Sequence, residues 1–172
     1  MNQPGNILAT IVDTVVPQMQ SLDLSSVSIK PDPDRWSKIE ILGHLLDSAN
    51  NNHRRFVLAC FTDELIFDGY DQEAWVRVQD YQNAEWSSLV SLWRLYNKHL
   101  ASLIEGIDAD VLQKHRARHC LHRIAWKPVP ENEPATLDYF IRDYIGHLEH
   151  HVGQILPDYQ PVMMGTYEYA AT

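Results

Sequence analysis

The chain has 172 residues, of which 45% are hydrophobic and 22% charged, with a formal net charge of −9. This is the composition of an ordinary globular protein, and its length suits a single domain spanning residues 1–172 with one core. The acidic balance argues against nucleic acid and against an anionic membrane surface as partners, and no apolar run approaches the ~18 residues that cross a bilayer.

The N-terminus lacks a basic leader region, and Asp13 interrupts the apolar stretch after it, so a cytoplasmic location is expected. Cys60 and Cys120 lie far apart and match no ligand spacing, which reads as two reduced thiols in a reducing compartment.

Taken in chain order, residues 6–21 form the first expected helix, with Ile7, Leu8, Ile11, Val15 and Met19 at helical spacing and Pro17 disturbing the last turn. A loop follows to Pro33. Asp34 is read as the cap of a second helix over 35–61, whose apolar stripe is Leu42, Leu45, Leu46, Ala49, Phe56 and Cys60. Residues 62–83 form a long connection with a short helix at 72–78, and connections of that length in compact domains tend to carry function. Asn83 is read as the cap of a third helix over 84–105, built on Leu89, Leu92, Trp93, Tyr96, Leu100 and Leu103 and stopped by Gly106. After a short turn at 108–113 comes an irregular stretch to Ala135, broken by Pro128, Pro130 and Pro134. Thr136 then caps a fourth helix that Pro157 ends. No segment alternates with period two. Four amphipathic helices without a sheet bury their stripes only against one another, so the expected fold is an all-α four-helix bundle with long inter-helix connections.

The fourth helix holds the strongest chemical signal, His147-Leu148-Glu149-His150-His151. Residues four apart stand one above the other on a helix, so His147 and His151 can clamp one ion, while His150 turns toward solvent. On the second helix His44 shares a wheel face with Asp47, Asn51 and Arg55. That stripe lies roughly opposite the apolar one, so the wheel alone favours a solvated face. A functional reading requires a wet cleft along it, with Asp47 and Asn51, and Asp143 on the fourth helix, supporting the ligands from behind.

Three segments in order carry a resemblance: His44-Leu45-Leu46-Asp47-Ser48 continuing through Asn51 to Arg55, then Tyr70-Asp71-Gln72-Glu73-Ala74-Trp75, then Gly146 to Ile155. Together they resemble the DinB/YfiT-like superfamily, in particular its branch of metal-dependent hydrolases and bacillithiol S-transferases. The resemblance implies a four-helix bundle, usually dimeric. It also implies one divalent ion, commonly zinc or nickel, held by one histidine of the second helix and two of the last. By motif these are His44, His147 and His151. Members often carry a further histidine three residues after the last ligand, and here that position is Gln154.

Three neutral imidazoles suit zinc, nickel or iron, and three protein ligands leave positions open, which is the pattern of catalysis. The expected function is therefore a metal-dependent transfer of a low-molecular-weight thiol to a small-molecule electrophile, or a related hydrolysis. The alternative is a non-catalytic, stress-responsive metal-binding bundle. A homodimer is expected from the resemblance and from the aromatic content of the third helix: Trp86, Trp93 and Tyr96 exceed what one core face needs.

Residues 111–130 contain no acid but carry Lys114, Arg116, Arg118, Arg123 and Lys127. Arg116, Arg118 and Arg123 are candidate contacts for an anionic thiol, against the plainer reading of a solvated loop. Tyr70 and Trp75 are candidate substrate contacts, against the plainer reading of loop-anchoring aromatics. His115, His119, Cys120 and His122 form a dense cluster, but neighbouring Arg116 and Arg118 repel a cation there. No Glu is followed three residues on by His, which argues against a carboxylate-bridged di-iron bundle.

Overall fold

The computed structural model describes residues 3–163. Its helices are α1 (Pro4–Gln20), α2 (Leu24–Val27), α3 (Lys38–Ala59), α4 (Gln72–Val78), α5 (Trp86–Glu105), α6 (Ala109–Gln113), α7 (Leu121–Ile124) and α8 (Leu137–Ile155). A 3-10 turn at Tyr81–Asn83 precedes α5. The chain belongs to the all-α class, and α1, α3, α5 and α8 form a four-helix bundle. Helix α1 packs on α5 and α8, and so does α3. The helices α1 and α3, consecutive among the long ones, therefore face each other across a diagonal, as do α5 and α8. This order departs from a simple up-and-down bundle and needs long connections.

Several boundaries differ from the sequence reading, each for a local reason. The cap of α3 is Ser37, not Asp34: Glu40 Oε2 accepts the Ser37 backbone N–H at 2.8 Å, closing a capping box. Helix α5 starts at Trp86 because the Glu85 carboxylate accepts the N–H groups of Ser87 and Ser88; Asn83 instead turns its side chain to Asp80. The stretches read as irregular contain the single turns α2 and α7. Thr136 caps α8, and Asp71 caps α4.

Leu8, Ile11, Leu42, Leu45, Trp93, Leu100, Ile141 and Leu148 lie at the centre of the core. Trp86 and Trp93 are buried within it, so they form no surplus apolar face. Leu92, expected inside, is 48% exposed, and Leu95 is exposed beside it.

The polar stripe of α3 does not face solvent. His44, Asp47, Ser48, Asn52 and Arg55 are all buried. Helix α3 has neighbours on most sides: α5 and α8 pack on its apolar stripe, and the two long connections cover the stripe of His44 and Arg55, leaving Asn50, Arg54 and Leu58 exposed. The first returns through α4 and the 3-10 turn, where a Cβ on Gly43 would stand 2.1 Å from the Tyr81 ring. Only glycine allows that approach beside His44. The second is tied down by isolated bridges, Leu65 to His119 and Arg116 to Ala135.

Candidate metal centre

His44 from the first half of α3 meets His147 and His151 from the second half of α8. One nitrogen from each lies within 4.8 Å of the other two. The Nε2 atoms of His44 and His147 are 3.3 Å apart. The three rings stand edge to face, with centroid separations of 4.8 Å for His44 to His151 and 4.6 Å for His147 to His151. His44 is fully buried under the Trp36 ring, 4.9 Å away between centroids.

Burial, and then the neighbouring imidazoles, hold these rings in the neutral form: the pKa falls to about 2 for His147 and to about 3 for His44. His151 is also lowered by burial, partly offset by Gln154. The Gln154 carbonyl oxygen sits 2.8 Å from His151 Nδ1. A carbonyl only accepts, so Nδ1 carries the proton and the Nε2 lone pair is left for a cation. The residue that departs from the family pattern is thus the one that orients the ligand. His44 Nδ1 is buried with no hydrogen-bond partner. Converging neutral imidazoles under burial fit a divalent ion better than they fit a proton, and the three histidines could hold one.

The centre opens onto a cavity of about 330 Å³, lined by His147, His151, Arg55, Tyr70, Arg123 and Trp126 among others. His151 also borders a second cavity of about 600 Å³ on the side of Trp36, where Ile29, Pro31 and Ile41 contribute apolar wall.

The remaining expected residues divide. Arg123 and Tyr70 line the first cavity, and Trp75 packs on the Tyr70 ring, 5.1 Å between centroids. Asp47 and Asn51 do not support the histidines through the hydrogen bonds they make. The Asp47 carboxylate accepts from Gln79 and from the Tyr81 hydroxyl, and Asn51 donates to a main-chain carbonyl of its own helix. Asp143 accepts the backbone N–H groups of Trp126 and Lys127, both at 2.8 Å, and so fixes the loop that forms the cavity rim.

Arg116 is buried, not facing substrate. Its guanidinium donates to the carbonyls of Ala59, Val111 and Lys114 and pins the second connection to the end of α3. Arg118 pairs with Glu64 at the surface, away from the cavity lining. The cluster at 115–122 does not converge: both ring nitrogens of His119 are engaged, by the Glu133 carbonyl and the Leu121 N–H, and the Cys120 sulfur accepts the Phe67 N–H. The sequence reading missed Asn52 and Trp126, took Gln154 only as a departure from the family pattern, and gave Arg55 no role of its own. The signal for Arg55 was its place on the His44 face of the wheel.

A three-histidine centre between the second and fourth long helices of such a bundle defines a class. The profile of the DinB superfamily matches residues 13–155, and the chain belongs to that superfamily. It is 27% identical over 121 residues, 70% of this chain, to the Bacillus subtilis (strain 168) protein named "Putative metal-dependent hydrolase YfiT". That match spans 62% of the relative's own length. The solved structure of YfiT from Bacillus subtilis, described as a probable metal-dependent hydrolase with an unusual four-helix bundle topology, superposes with a TM-score of 0.70 at 20% identity. It covers 90% of this chain and 82% of that one.

Proposed function

We propose that this protein is a metal-dependent enzyme that uses one divalent ion at His44, His147 and His151 to transfer a low-molecular-weight thiol to an electrophile, or to hydrolyse a related substrate. The observation that carries the reading is the convergence of three neutral imidazoles at the edge of a polar cavity. When bound, the ion supplies Lewis acidity and lowers the pKa of a water or thiol placed beside it. The chain's own residues do the rest. Burial keeps the imidazoles unprotonated, Gln154 fixes the His151 tautomer, Trp36 covers His44, and Trp126 stands beside His147 and His150. The group contains three donors and no fourth among the described residues, which supports a site with open positions over a structural one. Zinc and nickel suit the imidazole set, with iron as the third candidate.

Elemental analysis of the purified protein, followed by a conjugation screen pairing several small thiols with an epoxide and an aryl halide, tests the reading. Stoichiometric metal with thiol consumption supports transfer. Stoichiometric metal with ester or amide cleavage instead supports hydrolysis, and metal without turnover favours the non-catalytic bundle. Absence of metal sinks all three.

Two free cysteines fit a cytoplasmic location, and no helix of the described residues is long and apolar enough to cross a membrane. The proposed assembly is a homodimer. Exposed Leu92 and Leu95 on α5 now support it in place of the buried tryptophans. Light scattering at micromolar concentration checks this: a dimer mass is expected, reduced to the monomer by Leu92→Glu, and a monomeric wild type rejects it.

A further inference from the structure

Helix α3 buries a second charged group that the histidine centre does not use. Arg55 is 6% exposed. Its guanidinium donates to Asn52 Oδ1 at 3.3 Å and to the Asp68 carbonyl at 2.7 Å. Among the described residues it has no carboxylate within ion-pair distance. Arginine keeps its charge at any ordinary pH and offers five N–H donors in a rigid fork. The Asp68 carboxylate acts on Arg55 only from beyond ion-pair distance, and an anion arriving within reach of the fork relieves the cost of burying the cation.

The place where an anion would arrive is the cavity that His147 and His151 border, since Arg55 lines it too. Arg123 reaches the same cavity from α7 and is exposed. Asp143 is the one carboxylate of that lining, and its oxygens accept the N–H groups of Trp126 and Lys127. Tyr70 adds a phenol kept neutral by burial and by Asp47.

Spacing sets the shape of the ligand. Arg55 follows His44 by eleven residues on one helix. Eleven residues make three turns and return to the same face, with a rise of roughly 16 Å. Ser48 and Asn52 lie between them and line the cavity, so the face forms a polar floor running from the histidines to the guanidinium.

We propose that this cavity takes an elongated small molecule with a carboxylate at one end, gripped by Arg55 and Arg123, and its reacting group at the other end beside His147 and His151. The reacting end rests on the metal-dependent reading above; the carboxylate end does not.

The test uses metal-free, full-length protein and calorimetric titration with glutarate, its uncharged analogue 1,5-pentanediol, and inorganic phosphate. Saturable glutarate binding in the millimolar range is expected, with none for the diol. Arg55→Gln weakens glutarate by about tenfold and Arg123→Gln by roughly threefold, while Arg55→Lys restores the charge without the fork and recovers only part of the loss. Circular dichroism confirms folding; should Arg55→Gln fail to fold, Arg55→Lys and the exposed Arg123→Gln decide. Arg118→Gln, at the surface away from the cavity, leaves glutarate binding unchanged. If the metal reading fails while Arg-dependent glutarate binding persists, the anion site stands alone. No glutarate binding by either metal-free or metal-loaded wild type, equal binding in the Arg55 and Arg123 variants, or phosphate binding tighter than glutarate overturns the proposal.

Discussion

Two regions of the chain are dense in histidine and arginine, and they have opposite fates. In the segment 115–122, close neighbours in sequence, His119 and Arg116, are committed to main-chain carbonyls and an N–H. In the other region His44, Arg55, His147 and His151 come from helices far apart in sequence, and they converge with lone pairs or N–H donors still available. Local density therefore marks a connection that must satisfy its own backbone without regular structure. A site is marked by buried polar groups that tertiary packing brings together from separate helices with their binding atoms facing one another.

The largest contrast is in metal content. His147→Ala or His151→Ala should reduce bound metal from about one ion per chain to background while helicity by circular dichroism is kept, because two imidazoles bind far more weakly than three. His119→Ala should keep the metal. Equal metal content in the three variants, measured by elemental analysis, would erase the distinction between the regions.

Stability reverses the order. Arg116→Met strands the buried Ala59 carbonyl and two part-buried ones and should cost roughly 3 kcal/mol in urea unfolding, with metal content per folded molecule unchanged. His119→Ala removes two hydrogen bonds and should cost about 1–2 kcal/mol. A silent Arg116→Met would remove the structural role assigned to that side chain.

Acidity gives a subtler test. The imidazoles of His44 and His147 take up protons near pH 3 and 2 when folded, against 6.5 ordinarily. Between those limits the unfolded chain binds more protons, so stability rises with pH there. The contribution is fully present above about pH 6.5 and is lost progressively as the pH falls through that window toward 3. The melting temperature of metal-free protein should fall accordingly, and the double variant His44→Ala/His147→Ala should flatten the profile. An unchanged slope in the double variant would show that other groups govern acid sensitivity.

Much of this was legible in the residues themselves. Period and caps located the four long helices to within a few residues, because amphipathic spacing and the chemistry of Thr136 and Gly106 are local. The spacing of His147 and His151 marked a candidate clamp for the same reason. The start of α3 was misplaced because Asp34 and Ser37 both make acceptable caps; Glu40, completing the box, decides between them.

What only the tertiary structure decided is which polar groups lose their water. A helical wheel assumes one buried face, and by that measure His44 and Arg55 belonged to solvent. The diagonal order of the bundle instead gives α3 neighbours on its polar stripe as well as on its apolar one. The connections that this order requires close over its polar stripe, and Gly43 lets Tyr81 lie against the helix beside His44. Burial there turned three imidazoles into neutral donors and left Arg55 without a carboxylate in ion-pair contact. Solvent exclusion arises from all elements packed together, and no spacing within a single helix encodes it.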